Sequence, residues 1–247
     1  MSEVAPWTRP EPVPFPCVRQ RHVGRRPLEV AGGDAPPAYV VQELPGDRHE
    51  EAVRLMADVF LREEPITSCF GLRDDPEAFA ELQEVWRLVL SERISLCALV
   101  EQPDGSPGPL AAFNMLMVVR PGEKFELKNE KLADLLKTVK EVEALVQPDV
   151  FERFGVPECL SAVGLVVARE HRGQGLGEQL LRARWPLGRA LGLRATATMF
   201  TGAASQLLAR RAGFQALAEA VYADQPHPAF HTITSSRSMI FMAAALE

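Results

Sequence analysis

The sequence lacks the features that would place it in a membrane, in the secretory pathway or around a metal ion. It contains no run of about 18 apolar residues, which a membrane-spanning helix requires. Its start shows no charged segment followed by an apolar one, so no secretory signal is expected. The four cysteines stand far apart without a CxxC pair, which predicts reduced thiols in a cytoplasmic protein: Cys17, Cys69, Cys97 and Cys159.

The histidines and the charge balance argue against further classes of ligand. The five histidines show no HExxH motif or comparable spacing, so no metal site is predicted. With 27 Lys and Arg against 33 Asp and Glu, the chain carries a net charge of −6. A chain this acidic is not expected to bind nucleic acid or an anionic membrane through its general surface.

Proline dominates the first part of the chain. Eight prolines fall within the first 40 residues, among them the run RPEPVPFPC at 9–17. Such a segment cannot keep regular structure for long, so we predict a flexible N-terminal extension over residues 1–38. A polyproline II motif that docks a partner is the alternative. Residues 39–247 are predicted to form the functional domain.

From Tyr39 onward, strand and helix periodicities alternate and predict a mixed α/β domain. Asp75 and Pro76 have the residue types of a helix N-cap and first helical position, and Gly213 suits a helix end. Pro186 predicts a kink in the helix that contains it. A further helix, with its charges on the solvated side, shows an apolar face of six residues: Leu132, Leu135, Leu136, Val139, Val142 and Val146.

A glycine-rich stretch, EHRGQGLGEQLL at 170–181, directly follows an apolar run at 159–168 that is typical of a central strand buried on both faces. Ligands of open α/β sheets bind at this end of a strand. Gly177 precedes Glu178 and Gln179, so the Lys-Ser/Thr of a P-loop is missing. A dinucleotide site fails too, because no acidic residue follows between 179 and 218. Six arginines lie in 182–211 and could bind a polyanionic ligand, although for most of them we favour a solvent-exposed position on the surface.

The remaining pattern is Arg172, Gly175 and Gly177 in Arg-x-x-Gly-x-Gly. The stretch GLVVAREHRGQGLGEQLL resembles the acetyl-CoA motif of the GNAT superfamily of N-acyltransferases. The resemblance implies the GNAT fold, a mixed and mostly antiparallel sheet of about seven strands flanked by helices, with the coenzyme at a splayed central strand. It implies acetyl-CoA as cosubstrate, no metal, and coenzyme contacts at Leu165, Val166, Val167, Arg172, Gly173, Gln174, Gly175, Leu176, Gly177 and Glu178.

A second stretch, VFLREEPIT at 59–67, resembles the arthropod-type arylalkylamine N-acetyltransferases. The resemblance implies that Glu64 is the general base and that the hydroxyls of Thr201 and Ser205 assist. It implies transfer of an acetyl group to a small primary amine such as a biogenic monoamine. The residues alone also allow roles without catalysis: Glu64 could be an exposed loop glutamate, and Ser205 could simply cap a helix.

The chemistry of amide formation accounts for these residue types. A protonated amine cannot attack a thioester, so a carboxylate, acting through water, must remove the proton. A backbone N–H near Val167 would stabilise the oxyanion. Ser205 is the first choice for protonating the leaving thiolate, and Tyr222, which otherwise belongs to the core, is the second.

Two rival functions and three departures from the family pattern remain. A polyamine or a protein amine could be the acceptor, or the chain could bind acyl-CoA without catalysis. Ala204 stands where many relatives carry an aromatic residue, and Trp185-Pro186 interrupts a helix that is usually continuous. The strand at 111–119 differs from the usual substrate-side strand, so the acceptor pocket is not predicted.

Overall fold

The computed structural model describes residues 7–28, 35–123 and 125–247. The strands are β1 (Val18–Val23), β2 (Ala38–Glu43), β3 (Leu96–Glu101), β4 (Pro107–Val119), β5 (Cys159–Val167), β6 (Ala195–Phe200), β7 (Gln215–Val221) and β8 (Ser238–Ala245). The helices are α1 (His49–Leu55), α2 (Leu61–Glu63), α3 (Pro65–Cys69), α4 (Pro76–Ser91), α5 (Glu130–Glu143), α6 (Val150–Phe154), α7 (Leu176–Arg182), α8 (Arg184–Leu191) and α9 (Ala203–Ala212). None of these helices is long and apolar enough to cross a membrane.

The eight strands in the described parts of the chain join one sheet in the order β1-β2-β3-β4-β5-β6-β8-β7. Every neighbouring pair is antiparallel except β5 and β6, which are parallel. The predicted mixed, mostly antiparallel α/β architecture is therefore confirmed, with one strand more than expected.

The centre of the sheet is open on one side. β4 pairs with β5 along its length, from Val119↔Cys159 to Ala112↔Val167. β5 pairs with β6 only at Leu160↔Thr196. Beyond that point the two parallel strands separate, so the carboxyl half of β5 has a strand partner on one edge only. This separation is the splay that the family resemblance implies.

The additional strand, β1, lies inside the segment that the sequence analysis treats as an extension. It pairs with β2 from Val18↔Gln42 to Val23↔Ala38, with an irregularity between Val18 and Gln20. Alternating polar residues and flanking prolines hide this edge strand from a periodicity argument. The sheet thus begins before residue 39, and the flexibility of the segment 1–38 stays a prediction.

The local signals of the sequence correspond to real helix ends. The side chain of Asp75 accepts a hydrogen bond from the N–H of Ala78 and caps α4. Gly213 ends α9 with a φ of +104°. The break near Pro186 is confirmed, because the helix is interrupted at Ala183, between the end of α7 at Arg182 and the start of α8 at Arg184. A proline cannot donate the hydrogen bond that would continue the helix through this point.

The sheet carries a core layer on each face. On one face α7 and α8 pack their leucines, such as Leu180 and Leu187, against Tyr39 and Val41 of β2. On the other face α1 and α4 pack Val53 and Trp86 against β3 and β4. Between α1 and α2 the chain makes a π-helical turn, Met56–Phe60, which was not predicted. The sheet is therefore covered on both faces, and ligand access is through the splay.

Candidate active site

A single cavity of about 950 Å³ opens where β5 and β6 separate. The glycine-rich loop and the carboxyl end of β5 form one wall, and the residues after β6 form another. The start of α3 and the apolar faces of α4 and α5 complete it. The cavity thus joins the two stretches that sequence resemblance singled out, although more than 100 residues separate them along the chain.

The glycine-rich loop has a backbone that side chains would disturb. Gly173 and Gly175 have φ values of +79° and +87°, in the left-handed region that favours glycine. A Cβ added at Gly177 would lie 2.8 Å from Leu208 of α9, so glycine also permits the close packing of α7 and α9. Within the described residues, no protein acceptor binds the backbone N–H groups of these three glycines. The loop therefore has the geometry of a phosphate cradle.

The predicted coenzyme contacts divide into two groups. Most of them line the cavity: Leu165, Val166, Val167, Arg172, Gly173, Gly175, Leu176 and Gly177. The side chains of Gln174 and Glu178 point elsewhere. Gln174 is buried against the N-terminal segment, and Glu178 binds Arg182. Any contact that these two residues make with a phosphate through the cradle would therefore come from their backbone.

Arg172 is held by protein groups on both sides. Its guanidinium pairs with Glu63 and donates a hydrogen bond to the backbone carbonyl of Val167 at 3.3 Å. Glu63 also receives a 2.7 Å hydrogen bond from Arg169. These two arginines lower the pKa of Glu63, although partial burial raises it. Arg172 therefore ties the loop to the end of α2.

The free edge of β5 presents polar backbone groups to the cavity. The N–H of Ala168 donates to the carbonyl of Ala111 at 2.9 Å, which makes this a hydrogen-bonded pair of the β4–β5 ladder. In an antiparallel ladder such pairs alternate along the strand. The backbone groups of Leu165 and Val167 therefore point away from β4, toward the splay. An extended ligand can pair with them as an added strand would.

Glu64 lines the same cavity, directly before Pro65. Its backbone is extended (φ −73°, ψ 130°), as a residue before proline prefers. Its carboxylate accepts hydrogen bonds from the N–H groups of Ile66 at 3.1 Å and Thr67 at 2.7 Å, so it caps α3. Gly202 packs beside Pro65, because a Cβ on Gly202 would lie 3.8 Å from the proline ring. This contact brings Glu64 next to the residues that follow β6.

Thr201 and Ser205 both line the cavity. The Ser205 hydroxyl donates a 2.8 Å hydrogen bond to the carbonyl of Gly202. The hydroxyl of Tyr222 donates to the carbonyl of Thr201 at 2.7 Å. Tyr222 is buried, and burial, followed by the charge of Glu64, raises its pKa well above the ordinary value. This arrangement favours a structural role for Tyr222 in the core.

Apolar side chains of α4 and α5 line a further part of the cavity, which we call the apolar lobe. α5 contributes Leu132, Leu135, Leu136 and Val139, which are four of the six residues on its predicted apolar face. α4 contributes Leu82, Val85, Trp86, Leu88 and Val89. The periodicity of α5 therefore predicts an apolar surface correctly, but much of that surface lines a cavity instead of the core.

Arg184 is a cavity residue for which the surface interpretation is wrong. It is fully buried, donates twice to the side-chain oxygen of Asn114, at 2.9 and 3.1 Å, and also donates to the hydroxyls of Thr196 and Thr198. Burial lowers the pKa of Arg184 to about 9. One feature of the sequence indicates this burial: Arg184 lies four residues after Leu180, on the same helix face as the leucines.

A solved structure identifies the family of this cavity and fold. The yellow fever mosquito protein assigned as arylalkylamine N-acetyltransferase 7 is 32% identical to the chain. The match covers 98% of this chain and 100% of the mosquito chain, with a TM-score of 0.83. The chain belongs to the arylalkylamine N-acetyltransferase family. It is thus a GNAT-fold N-acetyltransferase, and acetyl-CoA is its acetyl donor.

More distant N-acetyltransferases share the fold. Arylalkylamine N-acetyltransferase 2 from Aedes aegypti is 17% identical, over 85% of this chain and 99% of its own, with a TM-score of 0.73. The polyamine N-acetyltransferase of Drosophila melanogaster is 21% identical, over 84% and 99%, with a TM-score of 0.66. No protein-family model and no curated protein matched the chain.

The glycine-rich loop of this N-acetyltransferase fits the pyrophosphate of acetyl-CoA. Two left-handed glycines and free backbone N–H groups suit an anion. The free edge of β5 suits the amide groups of the pantetheine arm. No group of His, Cys, Asp and Glu side chains in the described parts of the chain is arranged to hold a metal ion.

Proposed function

We propose that this enzyme transfers the acetyl group of acetyl-CoA to the primary amine of an arylalkylamine by direct attack in a ternary complex. One observation carries the proposal. Glu64, Thr201 and Ser205 line the same cavity as the glycine-rich loop, so an amine and a thioester held there would meet beside a base and two hydroxyls. Holding the two reactants together in this way supplies much of the rate acceleration.

Glu64 is proposed as the general base. An ionised carboxylate offers about four acceptor positions, and two of them are filled by the N–H groups of Ile66 and Thr67. The others can bind the ammonium group of the substrate directly or through one water molecule. Glu64 takes a proton, and the neutral amine then attacks the thioester carbon, forming the C–N bond.

The remaining steps need an oxyanion donor and a proton for the leaving group. We assign the first role to the backbone N–H groups that β5 directs into the splay near Val167. When the tetrahedral intermediate collapses, the C–S bond breaks and its electron pair goes to sulfur. Ser205, after its hydroxyl has turned away from the carbonyl of Gly202, protonates the thiolate and receives in exchange the proton that the acetylated nitrogen loses. Thr201 assists from the same wall of the cavity.

The apolar lobe of the cavity, which side chains of α4 and α5 line, favours an aromatic amine over a polyamine as the acceptor. The walls contributed by α4 and α5 are mainly leucine, valine and tryptophan side chains, and Lys140 and Glu143 are the charged residues among them. An apolar ring gains free energy on such a surface, at about 25 cal/mol per Å². The second and third ammonium groups of a polyamine would instead lose their hydration there. A protein amine would need a more open approach than a lobe enclosed by two helices.

The state of the cysteines supports a reducing compartment. Cys17, Cys69, Cys97 and Cys159 are all unpaired, and two of them are buried. Disulfides are rare where thioredoxin and glutathione keep thiols reduced. We propose the cytoplasm as the place where the enzyme acts.

An assay of thiol release from acetyl-CoA tests the function. We would compare tryptamine and dopamine with spermidine, agmatine and a lysine-containing peptide at matched concentrations. We expect the highest kcat/KM for the aromatic amines. A preference for spermidine or agmatine would assign the enzyme to polyamines, and a preference for the peptide would assign it to protein amines. Acetyl-CoA binding without turnover of any amine would favour a non-catalytic acyl-CoA-binding protein.

A further inference from the structure

We propose that Arg25 and Arg26, which follow strand β1, bind the phosphate groups of acetyl-CoA, so that the N-terminal segment forms one wall of the cosubstrate site. The inference rests on the proposed function, because it takes the glycine-rich loop as the pyrophosphate cradle. It gives a role in cosubstrate binding to a segment for which the sequence predicts a flexible extension.

The N-terminal segment is bonded directly to the glycine-rich loop. The side-chain oxygen of Gln174, a loop residue only 1% exposed, accepts hydrogen bonds from the backbone N–H groups of Arg25 at 2.8 Å and Arg26 at 3.2 Å. Its amide nitrogen donates to the carbonyl of Arg26 at 3.0 Å. A ring nitrogen of His22 lies 2.7 Å from the carbonyl oxygen of Gln174. The position of the two arginines is therefore set by the loop.

Gly24 permits this contact. A Cβ at Gly24 would lie 2.6 Å from the side-chain oxygen of Gln174. The N–H of Gly24 also donates to the carbonyl of Pro37 at 2.8 Å, which extends the β1–β2 pairing up to the arginines. The segment reaches the loop as a continuation of the sheet.

The two guanidinium groups lie over the glycines of the cradle. A Cβ at Gly175 would lie 3.1 Å from Nε of Arg25, and a Cβ at Gly173 would lie 3.3 Å from Nη2 of Arg26. Arg25 lines the cavity, whereas Arg26 lies outside it. Both side chains are exposed, so they can turn toward a bound anion without breaking a core contact.

The charges around the loop are not balanced within the protein. Five arginines surround it: Arg25, Arg26, Arg169, Arg172 and Arg182. The nearby acids are Glu63, Glu170 and Glu178. Glu63 is shared by two arginines, and Glu178, which is 3.9 Å from Arg25, already binds Arg182 at 3.0 Å.

Arg26 shows the imbalance most clearly. Within the described residues it has no carboxylate partner, and its hydrogen bond goes to the carbonyl of Arg172 at 3.5 Å. Like charges held close together destabilise one another unless an anion is present. The pyrophosphate and the 3′-phosphate of coenzyme A would supply that anion.

The two positions suggest a division of the phosphates. Arg25, beside Gly175 and facing the cavity, is assigned to the pyrophosphate. Arg26, outside the cavity, is assigned to the 3′-phosphate, which is at the outer, adenosine end of the coenzyme. Acetyl-CoA that lacks the 3′-phosphate therefore probes Arg26 separately from Arg25.

Calorimetry with the full chain tests this assignment. We would measure the Kd of acetyl-CoA and of its 3′-dephospho form for the wild type, Arg25→Ala, Arg26→Ala and the control Arg21→Ala. Arg21 is on β1 too, but its side chain points to Glu101 at 3.1 Å. Arg25→Ala should raise both Kd values about tenfold, which is typical of a lost hydrogen bond to a charged group. Arg26→Ala should raise the Kd of acetyl-CoA alone by a similar factor, and Arg21→Ala should change neither value.

Unchanged Kd values for both Arg25→Ala and Arg26→Ala would overturn the inference and leave the proposed function intact. Failure of the wild type to bind acetyl-CoA would instead overturn the proposed function. Thermal unfolding without ligand shows whether each variant folds, and Arg25→Lys and Arg26→Lys should recover part of the affinity because they keep the charge. The Kd of acetyl-CoA should also rise less steeply with salt concentration in each alanine variant than in the wild type, because one screened contact has been removed. Equal losses in Arg21→Ala would contradict it.

Discussion

The carboxylate of Glu64 accepts a 2.7 Å hydrogen bond from the backbone N–H of Thr67. This contact makes Glu64 the N-cap of α3 while the same side chain lines the cavity. Structural and chemical roles therefore meet in one residue, and the capping bonds fix the direction of the carboxylate. A substitution that keeps the cap but removes the charge can separate the two roles.

We predict that Glu64→Gln lowers kcat strongly with little change in stability. The amide oxygen can still accept from a backbone N–H, but an amide does not take a proton from an ammonium group. General bases typically contribute about 10²- to 10⁴-fold, and loss of part of the cap costs about 1 kcal/mol. Steady-state kinetics and urea unfolding measure the two effects.

The neighbouring glutamate is the matched control for this variant. Glu63→Gln should change the KM of acetyl-CoA more than kcat, because Glu63 holds Arg172 beside the loop. If Glu63→Gln lost turnover while Glu64→Gln kept it, the assignment of the base would be wrong. Glu64→Ala should lose both turnover and the cap.

We predict that Gly175→Ala raises the KM of acetyl-CoA about tenfold or more, since the added Cβ would lie at the cradle, 3.1 Å from Arg25. The left-handed φ of +87° adds a strain of about 1–2 kcal/mol for alanine. Gly192→Ala provides the control, because Gly192 also has a left-handed φ, +75°, but has nothing within 4 Å. Both variants should lose similar stability in thermal unfolding, and only Gly175→Ala should bind acetyl-CoA less tightly. Equal KM values for the two variants would contradict the cradle.

The sequence predicted the elements that local chemistry defines. The caps at Asp75 and Gly213 and the break near Pro186 depend on neighbouring residues along the chain. The glycine-rich loop could be separated from two other phosphate-binding motifs because those motifs fix residue types at short spacing. Its placement after a buried strand then followed from hydrophobic periodicity.

Contacts between distant segments could not be predicted in this way. Nothing in the sequence shows that Gln174 accepts from the backbone of Arg25, since 149 residues separate them. Arg184 looked like other arginines, and only its network with Asn114 and two threonines allows its burial. The apolar face of α5 was evident, but whether such a face meets a core or a cavity depends on what packs opposite it.

We predict that Leu136→Ala raises the KM of an arylalkylamine about 30-fold without changing the KM of acetyl-CoA. Leu136 of α5 lines the apolar lobe, and a fully contacted leucine that becomes alanine loses about 2 kcal/mol of apolar contact. Leu145→Ala is the control, since Leu145 follows the same helix but is 66% exposed. A larger effect on acetyl-CoA than on the amine would mean that the lobe binds the donor.

We predict that a buried carboxyl outside the active site makes the enzyme less stable above neutral pH. Glu92, just after α4, accepts a hydrogen bond from the N–H of Val118 at 3.0 Å. Burial raises its pKa to about 7, and the nearby Glu123 adds to the shift, whereas the Val118 hydrogen bond and Arg120 oppose it. Between its ordinary pKa and about 7 the folded state binds the proton more tightly than the unfolded state, so stability falls as pH rises through this window.

Glu92→Gln should remove this pH dependence, because an amide stays neutral and can still accept from Val118. Urea unfolding at pH 4.5 and pH 8 gives the free energy of unfolding of the wild type and of the variant. The effect is the change, between the two pH values, in the difference between these two free energies. From the size of the shift we expect the variant to gain stability relative to the wild type by on the order of 3 kcal/mol over this interval. A difference between the two proteins that is the same at both pH values would show that Glu92 titrates normally in the folded state.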